Sequence, residues 1–409
     1  MAHTMTSDAT PLHHGSHRHL LLALDAPVGT ARVDAIVVPT VRNPLSLRHA
    51  VEVAGELGCP LVLLCSGRYT SAALAHWYYR DSAPEIIAID VPDQRLLNLP
   101  SFATSRLLAR TAGGRFQRHS DTSAKRNLAL LLARLLGWKR LVFLDDDIKI
   151  GAPDDLRRAA GLLDVYSAAG LSVGGFPDNS VVCHANRLLG GRQDSFVGGG
   201  AMAVETTRTV SFFPDIYNED WFYLLDGKGL QQLAVTGKVL QDPYDPFRTP
   251  QRARGEELGD VLAEGLFWLL DENKPITEAD EAHWRMFLGL RRRFLDDLLA
   301  RLRARYPSTP EQARMEEALK ASRGRLELIA PDLCVTYLQA WEADRQRWAR
   351  FLKHLAPIPA GLSRKRTMHL AVSRLFTAPL PQKPLYHSIG HQIPQVPSNP
   401  AKAHEPALV

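Results

Sequence analysis

Three consecutive carboxylates, Asp145, Asp146 and Asp147, follow directly on the apolar run Leu141-Val142-Phe143-Leu144. Like charges at that spacing repel and raise one another's pKa unless a cation or a ring of donors compensates them. On an extended chain, side chains two apart share a face, which pairs Asp145 with Asp147 and sets Asp146 opposite. Such a pair suits a hard divalent ion, Mn²⁺ or Mg²⁺, whose ligands are carboxylates, waters and phosphates. The competing reading is an acidic turn that caps the next segment.

Other residues with chemistry to offer are spaced along the same half of the chain. Lys125-Arg126-Asn127 lies in the first turn of an expected helix, where cationic side chains and free backbone N–H groups together favour an anion. Gly198-Gly199-Gly200 is followed by Asn218-Glu219-Asp220-Trp221-Phe222. There Asp220, with Glu219 as the alternative, offers a carboxylate able to take a proton, although acidic residues also favour helix starts. Asn218 is expected to cap the helix carrying both, and Trp221 and Phe222 to offer stacking faces. Arg248, Arg252 and Arg254 form a spread of cations in a Pro-containing stretch.

The elements that must position these groups alternate. Ala35 to Val38 reads as a strand; Asn43-Pro44 then opens a helix with Leu47, Ala50, Val51 and Ala54 on one face, which Gly58 ends. Leu61 to Leu64 and Ile86 to Ile89 are further strands. Asp121-Thr122-Ser123 opens a helix whose Leu128, Leu131, Leu132 and Leu135 share a face ahead of the strand bearing the aspartates. This βαβ alternation predicts a mostly parallel sheet with flanking helices, whose ligand crevice lies at the strand carboxyl ends. Thr40 to Asn43, Ser66 to Arg68 and Asp145 to Asp147 all fall there.

Beyond residue 256 the periodicity is helical, with one stripe at Leu258, Val261, Leu262, Leu266 and Leu269 and another from Trp284 to Leu302. Arg291-Arg292-Arg293 is expected on a solvated basic face, or one meeting an anionic surface. The expected division is a flexible His-rich tail over 1–30, an α/β domain over 31–250, a helical accessory region over 251–357 and a Pro-rich tail over 358–409. His13, His14, His17 and His19 read as part of a solvated segment that binds metal only adventitiously.

Composition bounds the function. The chain has 409 residues, 45% hydrophobic and 23% charged, with a formal charge of +5. No basic run interleaves with aromatics, so a nucleic-acid substrate is not expected. Cys59, Cys65, Cys183 and Cys334 form no CxxC pair, which reads as free thiols in a reducing, cytoplasmic setting. No run reaches the ~20 apolar residues of a membrane helix, leaving at most peripheral membrane contact.

In their order, these motifs resemble those of nucleotide-sugar-dependent glycosyltransferases of the GT-A fold, in the family-2-like group, over residues 33 to 245. Pro39-Thr40-Val41-Arg42-Asn43 is similar to that family's nucleotide-binding loop, Lys125-Arg126-Asn127 to its helix-opening basic motif, and Asp145-Asp146-Asp147 to its DxD motif. Gly198-Gly199-Gly200-Ala201 and Asn218-Glu219-Asp220-Trp221 resemble its glycine-rich acceptor strand and ED motif. The resemblance implies donor contacts from Pro39, Thr40, Arg42, Asn43, Ser66, Lys125, Arg126, Asn127, Asp145 and Asp146, with the metal on Asp145 and Asp147. It implies acceptor contacts from Gly198, Gly199, Gly200 and Trp221, and a base at Asp220 or Glu219. The implied reaction moves a sugar from a nucleoside-diphosphate donor, UDP favoured, to a hydroxyl acceptor with inversion. The arginines at 248, 252 and 254 would then clamp the diphosphate, and His184 would line the acceptor side.

One departure stands out. Many relatives supply a histidine metal ligand after the ED motif, whereas here the next histidine is His283, leaving Asp242, Asp245 or water for that place. Competing readings are a HAD-type phosphatase, a sugar mutase using the same donor site, and a noncatalytic nucleotide-sugar-binding scaffold.

Overall fold

A computed structural model describes residues 11–21, 29–177, 179–305, 309–378 and 384–390. The first half of the chain builds β1 (Ala35–Thr40), α1 (Arg48–Leu57), β2 (Leu61–Cys65), α2 (Ala72–Tyr79), β3 (Ile86–Asp90), α3 (Ala103–Arg110), α4 (Thr122–Leu136) and β4 (Arg140–Leu144). Then come β5 (Ile148–Ile150), α5 (Asp154–Leu162), β6 (Ala168–Gly175), α6 (Val181–Leu188), β7 (Ala201–Glu205), α7 (Glu219–Tyr223) and β8 (Leu233–Gln241). A helical run follows, α8 (Pro250–Asp271), α9 (Glu281–Ala304), α10 (Pro310–Leu326), α11 (Pro331–Lys353) and α12 (Arg364–Ser373), before β9 (Leu385–Ser388).

The strands form one sheet in the order β5-β8-β6-β7-β4-β1-β2-β3-β9. β1 to β4, β6 and β8 run one way, and β5, β7 and β9 the other, so the sheet is mixed but mostly parallel. Each strand of the parallel centre is apolar on both sides, as burial under two helical layers demands. Ala35 and Val37 of β1, Val62 and Leu64 of β2 and Leu141 and Phe143 of β4 enter one core, with α4 and the helices from α8 onward. Ile36, Val38, Leu61, Leu63, Val142 and Leu144 enter the other, against α1, α2 and α5.

Two local signals flanking α1 work as the sequence reads them. The Asn43 side chain accepts from Leu45 N–H to cap a 3₁₀ turn ahead of α1, and Gly58 ends α1 at φ 64°. A Cβ is disfavoured at that left-handed angle, which glycine adopts freely.

Three expectations about the periphery give way. The described part of the His-rich segment is packed: His14 and His17 hydrogen-bond Asp271 Oδ2 at 2.6 and 2.7 Å, and His13 stacks on Phe294. Asp271 ends α8, and both imidazoles bond the same one of its carboxylate oxygens. In the C-terminal stretch, Met368, Ala371, Val372 and Leu375 are buried, β9 pairs with β3, and Arg364 and His387 both grip Glu85. Residues 391–409 lie outside the described part. Arg291 is not on a solvated face but buried, donating to Glu257, Asp260 and Glu264 of α8; Arg292 instead pairs with Glu327. The three arginines spread over 200° of helix, so they cannot share one face. No helix among the described residues is long and apolar enough to cross a membrane.

Candidate active site

The aspartates leave the centre of the sheet, where β4 sits between β1 and β7. Asp145 N–H donates to Gly200 O at 2.9 Å, and Ile148 N–H returns to Asp145 O at 3.2 Å, closing a turn. Extended-chain alternation therefore fails here. Asp145 faces Arg126, whose Nη2 lies 3.2 Å from both carboxylate oxygens. Asp146 accepts from Thr40 Oγ1 at 2.6 Å, and its other oxygen lies 3.1 Å from Arg42 Nε. Asp147 takes Arg42 Nη2 at 2.7 Å. Thus Asp146 and Asp147 share a guanidinium, while Asp145 belongs to a different one.

Burial, followed by repulsion from Asp147, raises the Asp145 pKa against the pull of Arg126. Burial likewise raises that of Asp146, opposed by Thr40 and Arg42. The Arg42 side chain is 50% exposed, so the cation that bridges Asp146 and Asp147 is displaceable from solvent. A donor set made only of carboxylate oxygens, with Asp145 and Asp146 pushed toward protonation and a half-exposed guanidinium closing it, fits a hard divalent ion. Protein carboxylates would supply part of its shell, with phosphate and water supplying the rest.

Lys125 is buried at the opening of α4. Its Nζ donates to Thr40 O at 2.9 Å and Ser66 Oγ at 2.7 Å and pairs with Asp121 at 3.1 Å, which ties together the ends of β1 and β2. Around these groups lies a cavity of about 960 Å³ lined by Pro39, Thr40, Arg42, Ser66, Lys125 and all three aspartates. The loop Val91 to Arg95 after β3 and the stretch Gln117 to Thr122 complete it. A second cavity of about 240 Å³ is lined by Gly198, Gly200, Glu219, Asp220 and Trp221. Arg118, Thr122 and Asp145 border both, so the two chambers meet at the first aspartate.

Glu219 and Asp220 are neighbours with opposite environments. Burial works against ionising Glu219, but Arg118 at 2.8 Å and Arg126 at 3.0 Å outweigh it and hold its pKa low. Asp220 is raised by burial and by the Glu219 charge. Its Oδ2 accepts from Gly199 N–H at 2.6 Å and its Oδ1 from Trp221 N–H at 2.9 Å, which fixes the carboxylate in the smaller chamber. A locked, proton-hungry carboxylate is what a general base requires; Glu219 is committed to its two arginines. Gly199 also makes room for Arg126, because a Cβ there would fall 2.6 Å from the guanidinium carbon.

Several expected contacts are placed elsewhere. Asn43 spends its side chain on the cap, and Asn127 is pinned to Phe213, accepting at 2.9 Å and donating at 2.8 Å. Asn218 does not cap α7 with its side chain; it stands at φ 63° and donates to Asp260. Trp221 is partly buried against His17, Phe196 and Phe267, leaving only part of the ring to the chamber. His184 bonds Tyr244, and burial, then Arg252 and Arg187, lowers its pKa to about 4. Arg252 pairs with Glu256 and covers Tyr244, while Arg254 borders a separate basic hollow with Arg115 and Arg325. Asp245 pairs with Arg314, whereas Asp242 N–H donates to Asp147 O at 2.9 Å, which sets Asp242 beside the triad.

Two residues escape sequence reasoning. Asp215, on the larger cavity, has its pKa raised to about 6 by burial against the opposing pull of Arg118, and its Oδ1 is buried without a hydrogen-bond partner among the described residues. Arg118 borders both chambers and donates to Glu219 and Ile216 O. The only hint was the polar run Arg118-His119-Ser120-Asp121 before α4.

No protein-family model matches the chain, and no curated protein sequence matches it significantly. Among solved structures, the mannosyltransferase PcManGT from Pyrobaculum calidifontis in complex with GDP-Man and Mn²⁺ aligns over 80% of this chain and 90% of that one. The identity is 13% and the TM-score 0.38, a likeness too loose to carry an argument about the site.

Proposed function

We propose that the protein is a GT-A-type glycosyltransferase that moves a sugar from a nucleoside-diphosphate donor to a hydroxyl acceptor by single displacement with inversion. The observation that supports this reading best is the junction of two chambers at Asp145, with the carboxylate triad in one and the locked Asp220 in the other. The larger chamber suits the donor. Its far end, formed by the loops after β1, β2 and β3, takes the nucleoside, and its near end at the aspartates takes the diphosphate. Asp145 and Asp147 would hold the divalent ion, which when bound would neutralise charge gathering on the departing diphosphate.

The chain's own residues do the rest. Arg42, displaced from Asp146 and Asp147, is free to turn to the phosphates, and Lys125 holds the two loops beneath them. Arg118 and Arg126 keep Glu219 ionised and place positive charge at the chamber junction. Asp220 accepts the acceptor hydroxyl's proton as the oxygen forms its bond to the anomeric carbon and the bond to diphosphate breaks. Inversion in this scheme requires that attack from the Asp220 chamber meet the sugar on the face opposite the leaving group.

The test is Mn²⁺-dependent binding and turnover of UDP-, GDP- and dTDP-sugars by wild type and Asp147→Asn. The amide keeps the shape and loses the charge, so the variant is expected to fold normally and lose metal-dependent binding. Wild-type turnover unaffected by excess EDTA, or binding of no nucleotide sugar, overturns the proposal.

A further inference from the structure

On the far side of the smaller chamber, three residues from distant parts of the chain converge. His13 from the N-terminal segment, Cys183 from the first turn of α6 and Glu264 from the middle of α8 present ligand atoms that all lie within 4.8 Å of one another. His13 Nδ1 is 3.5 Å from Glu264 Oε2, and Cys183 Sγ is 3.4 Å from Glu264 Oε1. Zinc bonds of about 2.0 Å to N or O and 2.3 Å to S give a tetrahedron with edges of roughly 3.3–3.7 Å. Each separation has the length of such an edge, His13 lying against one Glu264 oxygen and Cys183 against the other, so a small turn of the carboxylate brings one oxygen to both. We propose that His13, Cys183 and Glu264 form a zinc site that fastens the N-terminal segment to the wall of the smaller chamber.

Three features of the surroundings support a site rather than a chance meeting. His13 has its other ring nitrogen, Nε2, 2.7 Å from Gln193 Oε1, and its ring stacks on Phe294 at 4.4 Å. A metal-binding imidazole characteristically donates its second N–H to an oxygen in this way, which orients the ring and fixes the tautomer. Glu264 is positioned too, because Arg291 holds Oε2 at 2.8 Å and leaves Oε1 toward the sulfur. Lastly, three buried α8 carboxylates, Glu257, Asp260 and Glu264, share the single guanidinium of Arg291. A divalent cation beside Glu264 supplies the positive charge that this cluster lacks.

The donor set selects the ion. Nitrogen, sulfur and oxygen together suit zinc and not the hard ions that suit the all-oxygen aspartate triad. Cys183 and Glu264 border the smaller chamber, so the fourth position is left to water on that side. Binding requires the Cys183 thiol to release its proton to solvent, so zinc uptake is accompanied by acid release.

The experiment uses the full chain, supplied with Zn²⁺, passed over a weak chelating resin and assayed for metal by mass spectrometry. Stoichiometric zinc is expected in wild type and in Asp147→Asn, and is lost in Cys183→Ser and His13→Gln. Gln193→Ala is expected to weaken zinc affinity roughly 10–100-fold. Replacement by Co²⁺ should give a thiolate-to-cobalt charge-transfer band that Cys183→Ser removes, which separates this site from any carboxylate-bound ion. Circular dichroism of each variant establishes folding. Sub-stoichiometric zinc in folded wild type, or retention and cobalt spectra unchanged in folded Cys183→Ser, overturns the assignment.

Discussion

Replacing Gly199 with alanine is the sharpest test of how the two chambers are joined. The new Cβ would stand 2.6 Å from Arg126 Cζ and closer still to Nη1, where carbon contacts settle at about 3.5–4.0 Å. The guanidinium must therefore withdraw by about 1 Å. It has little room, being 4% exposed and held by Asp145 at 3.2 Å and Glu219 at 3.0 Å, with Phe213 beneath. Overpacking alone costs ~1–3 kcal/mol, and breaking a buried pair outright costs ~3–5 kcal/mol. A partial withdrawal places Gly199→Ala at about 2–4 kcal/mol of lost stability, a factor of roughly 30 to 1,000 in the unfolding constant. Urea unfolding measures it directly. The reasoning also predicts the partner: in an Arg126→Lys background, which keeps the charge but removes the planar fork, the alanine penalty should fall below about 1 kcal/mol. A Gly199→Ala protein within about 0.5 kcal/mol of wild type, or an equal penalty in both backgrounds, refutes the proposed contact.

Asp220→Asn is expected to lower turnover by ~10²-fold or more with donor affinity nearly unchanged, while Glu219→Gln should act mainly on stability because it removes the buried charge that Arg118 and Arg126 both pair with; steady-state kinetics and donor titration of both variants check this. With the Asp220 pKa raised, the wild-type rate should increase with pH through a value above the ordinary carboxylate range, and this step should vanish in the variant. Asp215 has its folded pKa raised from 3.8 to about 6, so its contribution to stability is present below pH 3.8 and lost as pH rises through about 6. Asp215→Asn should therefore gain about 1–3 kcal/mol relative to wild type between pH 4 and pH 8, and a stability difference independent of pH across that window refutes the assignment.

What the sequence made legible was local or periodic. The Asn43-Pro44 cap, Gly58 and the apolar runs of β1 to β4 are decided by residues within a few positions of one another, and the alternation of Ala35 and Val37 with Ile36 and Val38 onto two faces follows from strand geometry. Asp145 to Asp147 were conspicuous because carboxylates after an apolar run need a reason, and Asp220 because of its place after Gly198-Gly199-Gly200 beside Trp221 and Phe222. The partners that choose among them were not. Arg126 reaches Glu219 across 93 residues, and Arg42 reaches Asp147 across 105, separations over which pattern alone is silent. Arg291 was misplaced for the same reason: a run of arginines on a helix reads as solvated until the three α8 carboxylates that surround one of them are known. The His-rich segment was judged by composition, while its packing depends on Asp271, Glu264 and Phe294, all more than two hundred residues away.

The last strand among the described residues, β9, has a bearing on how the chain is made. β3 has β2 on one side and β9 on the other, and Glu85, at its entrance, is gripped by a histidine 302 residues downstream. At ribosomal speeds of ~5–20 residues per second, β3 waits on the order of 15–60 s, with one edge's amides and carbonyls open, before its final neighbour is synthesised. An unpaired apolar edge is a template for association with other chains. The nascent protein thus passes through an interval in which its oldest sheet strands are folded and its border is bare, and premature termination anywhere before Leu385 would make that interval permanent. Truncated products should therefore be lost to aggregation even when every residue of both chambers has been made.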